Sequence, residues 1–133
     1  MEKTLYENSE NIIEAFSFRN NENITRKFSD WYIPFGIRIK LKDFEGKFEY
    51  HIESERLKQD ISNLSNIYLT LNGEYILHDM ESDSFLKFLM INNGKMIFNG
   101  RLGGTHQPNY LTFEIEADQT FLKNMIEFLK TLV

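Results

Sequence analysis

At 133 residues and 15.9 kDa the chain is long enough to bury one continuous core and short for two, so a single domain spanning 1–133 is expected. A net charge of −5 and a pI near 5.2 argue against direct nucleic-acid binding and favour, for a protein partner, a basic one. With no cysteine there are no disulfides and no thiolate metal ligands.

The opening MEKTLYENSENIIEAF has no basic segment followed by a long apolar run, and nowhere do eighteen apolar residues run together. No secretory signal and no membrane partner are expected.

Residues 1–10 are polar and are expected to be loose. Ile12 to Phe18 alternates imperfectly and reads as a strand, followed by an Asn-rich connection at Asn20–Asn23. From Trp31 to Leu41 every odd position is apolar: Trp31, Ile33, Phe35, Ile37, Ile39 and Leu41. That two-residue period marks a strand with one buried face. Pro34 and Gly36 place an edge or a bulge in its first half, because proline cannot donate to a ladder. Lys42 to Gly46 is turn-like, and Phe48, Tyr50 and Ile52 alternate beyond it, which completes a hairpin.

Ser54 is expected to cap a helix whose positions Leu57, Ile61, Leu64, Tyr68 and Leu71 step by four, three, four and three. Ile67, Leu69 and Leu71 also fit a short strand; the helix is preferred, with Asn72-Gly73 ending it. Glu74 to His78 reads as a short strand and Met80 to Asp83 as an acidic connection. Ser84 to Ile91 is almost wholly apolar, as in a central strand covered on both faces or nearly so. Asn92-Asn93-Gly94 turns the chain into Lys95–Leu102, where Met96, Phe98 and Leu102 share a face and Gly100 marks a close approach. Gly103 to Asn109 is a loop.

The last twenty-four residues carry the strongest pattern. Leu111, Phe113 and Ile115 alternate with Thr112, Glu114 and Glu116; then the period changes. Phe121, Leu122, Met125, Ile126, Phe128, Leu129 and Leu132 fill an arc of roughly 160° on a helical wheel, with Asp118 as N-cap. Hairpin-spaced strands with two helices inserted give an α+β fold: a curved, mainly antiparallel sheet of six or seven strands with two amphipathic helices packed on it.

Chemistry is sparse. His51, His78 and His106 show no metal-ligand spacing, and no cofactor is expected. His51 shares a strand face with Glu49 and Glu53, which reads more simply as a solvated face than as a carboxylate–imidazole site. Arg38, Lys40 and Lys42 form a basic row expected to pair across strands with Glu49 and Glu53. No catalytic residue is assigned. Asp79, Glu81 and Asp83 are the first candidates for docking a basic partner, because a turn should hold them together away from the core. Glu114 and Glu116, on the polar face of the last strand, are the second.

Three stretches, LTLNGEY (69–75), GKMIFNGRLGG (94–104) and the L-x-F-E-I…D-Q-T-F-L run from Leu111 to Leu122, resemble the immunity-protein family named after the wall-associated-protein toxins of bacteria. The Asp30-Trp31-Tyr32 stretch is similar to the family's segment before its long strand, with the usual intervening residues missing. The resemblance implies a small, cytoplasmic, non-enzymatic protein that binds and neutralises a cognate toxin domain, commonly a nuclease. It carries no inhibitory residues across, since the inhibitory surface varies with the toxin. A monomer or weak homodimer is expected. A small acidic secretion chaperone or adaptor, and a ligand-binding or catalytic domain, are the alternatives that size and composition leave open.

Overall fold

The structure is a computed structural model that describes residues 1–18, 31–104 and 108–133. The Asn20–Asn23 connection, Asp30, His106 and the middle of the 103–109 loop lie outside the described residues. Strands β1 (Glu2–Glu7), β2 (Ile12–Phe16), β3 (Tyr32–Leu41) and β4 (Phe44–Glu53) pair antiparallel with their sequence neighbours in one four-stranded sheet. A helix, α1 (Leu57–Thr70), follows. Strands β5 (Gly73–His78), β6 (Phe85–Met90), β7 (Lys95–Gly103) and β8 (Tyr110–Asp118) form a second sheet of the same kind, and α2 (Gln119–Leu132) ends the chain.

The α+β class, the antiparallel pairing and the two helices are as expected, whereas the single curved sheet is corrected. Between β4 and β5 a 3-10 turn at Ser54–Arg56 and all of α1 carry the chain away, and the strands fall into two meanders.

Helix α2 is what the two sheets share. All seven residues of its apolar arc are buried. The Phe121 ring lies 4.7 Å from Phe98 and 5.9 Å from Phe88 of the second sheet. Two turns on, the Phe128 ring lies 5.3 Å from Phe35 of the first sheet and 4.9 Å from Phe18. Burying side chains of this size stabilises by about 1.5–3 kcal/mol each, which makes this helix the main apolar bond between the sheets. Its start is fixed locally, because the Asp118 side chain accepts from the Thr120 N–H.

Several local expectations are revised. Residues 1–10 are not loose: β1 pairs with β2, with a register shift between Thr4 and Tyr6 that leaves Leu5 over, and Leu5 is fully buried. Its carbonyl accepts from the Asn124 amide of α2. Ser54 does not cap α1 as expected; the chain enters through the 3-10 turn, with Arg56 at the cap position. The helix runs through Thr70 as preferred and ends on Leu71 in the left-handed region, with Gly73 also at positive φ.

Strand β6 is central, but its burial alternates, with Leu86, Phe88 and Met90 inside and Phe85, Lys87 and Leu89 half-buried. It is therefore covered on one face only. Trp31, counted with the core face by parity, is 73 % exposed, because pairing starts at Tyr32. Pro34 lies beyond the last β2 pair, Phe16–Gly36, so no ladder bond is asked of it on that side. Gly100 is as expected: a Cβ there would run into the Phe85 carbonyl and sit 3.1 Å from the Phe113 ring.

Candidate docking surface

Where the two sheets meet, β4 offers its free edge to the chain leaving β5. The Tyr50 hydroxyl donates to the Leu77 carbonyl, and the Met80 N–H donates to the His51 carbonyl at 2.9 Å. The His51 N–H donates to the Asp79 carboxylate at 2.6 Å, and the same oxygen lies 3.2 Å from His51 Nδ1. Ser82 donates to the other Asp79 oxygen, and its hydroxyl oxygen lies 2.8 Å from that of Ser84, which accepts the Gly103 N–H at 2.7 Å. A buried carboxylate is tolerated only when bonded in this way.

Asp79 is therefore not held away from the core, and that expectation is corrected. It is 7 % exposed and turned inward, while Glu81 and Asp83 remain exposed. No local pattern could have shown this, because its partner is twenty-eight residues earlier.

The expected Glu49–His51 proximity is present at 3.5 Å, on Nε2. A nucleophilic triad needs a hydroxyl on that nitrogen. Here the Ser82 and Ser84 hydroxyls lie on the far side of Asp79, so the cluster is built to join sheets. His78 is on the outer face of β5, exposed. The basic row also finds different partners: Arg38 pairs with Glu14 and lies 3.9 Å from Glu45, not with Glu49 or Glu53. Bonding to Glu14 raises the Arg38 pKa further.

A second buried carboxylate joins α1 to β5. Asp60 accepts from the Tyr75 hydroxyl, and burial pushes the Asp60 carboxyl above its usual range. Burial and the Asp60 bond lift Tyr75 to about 12. Beside this pair a recess of about 110 Å³ is lined by Arg56, Asp60, His78, Asp79 and Met80 among others.

Glu114 and Glu116 lie on the outer face of β8 and are exposed, because Phe113, Ile115 and Ala117 take the side facing the core. Helix α2 thus does not cover them. In register across the outer face of the second sheet run Glu74, Leu89, Ile97 and Glu116, and in the next row Ile76, Lys87, Asn99 and Glu114. Lys87 is held by Glu74 at 3.3 Å, and the Arg101 guanidinium sits 3.9 Å over the Tyr110 ring. Glu114 and Glu116 have no ion-pair partner among the described residues. Alternation in the sequence marks these two carboxylates but not the apolar residues that stand between them and Glu74 across the strands.

Residues 10–133 match the immunity protein WapI-like family. The chain belongs to that family. No curated protein and no solved structure matches it. Membership in an immunity family gives the chain the part of an inhibitor that binds a toxin, and no helix among the described residues is long and apolar enough to cross a membrane.

Proposed function

We propose that this immunity protein acts in the cytoplasm, without catalysis, by covering the working groove of a cognate toxin domain that is basic, such as a nuclease. The observation that carries the reading is the family match over residues 10–133. The charge supports it: the chain has twenty acidic residues against fifteen basic ones, and Glu81, Asp83, Glu114 and Glu116 all face solvent. Such a surface attracts a domain that is positive where it holds nucleic acid. Asp79 serves it indirectly, by fixing the loop that carries Glu81 and Asp83.

Co-expression tests the reading. The toxin domain encoded beside this gene should arrest growth alone, and growth should return, with the two proteins co-purifying, when this chain is present. Rescue without any physical complex, or no rescue, would overturn it.

A further inference from the structure

The two sheets differ in what they turn away from the core. The outer face of the first carries Glu14, Arg38, Lys40, Glu45 and Lys47 across its strands, with Ile12 and Phe16 half-buried on β2 and Tyr32 at the start of β3. The outer face of the second is apolar in its two central strands. Ile76, Phe85, Leu89 and Ile97 stand where polar residues belong, Ile76 being 37 % exposed and the other three half-buried. Leu89 and Ile97 are direct cross-strand partners, so the apolar stretch is continuous through the two central strands. Apolar groups kept at solvent positions on rigid, paired strands are the mark of a binding face.

The charges around this stretch say what would cover it. Two of its cations are engaged, Lys87 by Glu74 and Arg101 by the Tyr110 ring, while Lys95 at the start of β7 is exposed and without an ion-pair partner among the described residues. The carboxylates of Glu114 and Glu116, on the edge strand, are left unpaired among the described residues. An apolar centre with an acidic rim matches the general anatomy of a protein interface. We infer that the outer face of the β5–β8 sheet is the seat of the toxin, with Ile76, Phe85, Leu89 and Ile97 as the anchor and Glu114 and Glu116 receiving basic groups of the partner. This rests on the toxin-binding reading above. A second copy of the chain is the poorer occupant, since it brings the same unpaired carboxylates to the contact.

The test uses the full chain and a catalytically inactivated form of the toxin domain encoded beside the gene. Ile76→Arg with Ile97→Arg should raise Kd at least about thirty-fold, the scale of losing a hot spot. Glu114→Lys with Glu116→Lys changes only exposed side chains and so guards against misfolding. It should slow association about tenfold at low salt, with the difference closing as salt is added. Glu7→Lys with Glu10→Lys, exposed residues at the β1–β2 turn carrying the same charge change, should slow association far less.

Both second-sheet variants binding within about threefold of the wild type, with Trp31→Ala weakening the complex instead, would overturn the assignment and leave toxin binding intact. Wild-type dimers dispersed by the Ile76/Ile97 variant would overturn it in favour of a second copy. A wild-type chain that does not bind the domain at all would overturn the toxin-binding reading and this inference with it.

Discussion

The Asp79 carboxylate accepts the His51 N–H at 2.6 Å while lying 3.2 Å from the same residue's Nδ1, so one side chain of the β5–β6 loop caps the free edge of β4 in the first sheet. Removing it strands a buried N–H and frees the loop. Asp79→Ala should destabilise by about 1–3 kcal/mol, and Asp79→Asn by less, because an amide oxygen still accepts from His51. Urea unfolding measures both. An Asp79→Ala chain within about 0.5 kcal/mol of the wild type would mean that this carboxylate adds nothing to the join between the sheets.

Helix α2 supplies the second prediction. Leu129 is fully buried and Phe121 and Phe128 touch opposite sheets, so Leu129→Ala should cost about 2–5 kcal/mol. Lys123 and Glu127 are exposed, and their alanine variants should stay within about 0.5 kcal/mol. Equal losses for the apolar and the charged positions, read from the same unfolding curves, would contradict the two-sheet role of this helix.

The buried Asp60–Tyr75 pair predicts a pH dependence. Burial raises the Asp60 carboxyl above its unfolded value of 3.8, so the folded chain holds a proton there that the unfolded chain gives up. The stability from this group is fully present below 3.8 and is lost as pH rises through the folded value. Asp60→Asn keeps an acceptor for Tyr75 and cannot ionise. Its thermal midpoint relative to the wild type should therefore improve on going from about pH 3 to about pH 7. Tyr75, lifted from 10.0 to about 12, contributes stability that is lost as pH rises through that value. An Asp60→Asn penalty independent of pH would contradict the burial effect.

What was legible in the sequence was what a single element decides for itself. The seven buried residues of α2 and its Asp118 cap follow from spacing and one side-chain oxygen, and the β3–β4 hairpin from alternation around a turn. Alternation tells which face of a strand is buried, not which strand lies beside it, so eight strands in two sheets read as one. Strand β1 left no pattern because only Leu5 is buried and it sits at a bulge.

The candidate docking surface was half legible for the same reason. Glu114 and Glu116 stand out in an alternating strand, whereas Ile76, Phe85, Leu89 and Ile97 become a face only once three strands are in register. In β6 the almost wholly apolar run itself suggested two faces covered or nearly so; one of them is half-buried. Asp79 looked like its acidic neighbours because its bond to His51 is purely tertiary.

Family membership and an acidic surface point to a chain that silences a toxin by occupying it. Titrating the purified chain into a fixed concentration of the active toxin domain encoded beside its gene, well above Kd, tests that most directly. The account predicts toxin activity falling linearly to zero at one chain per toxin, and returning when the complex is dissociated and the toxin recovered. Full activity at excess chain would contradict the account, as would permanent loss of toxin activity at a small fraction of one equivalent, the behaviour of an enzyme that turns over.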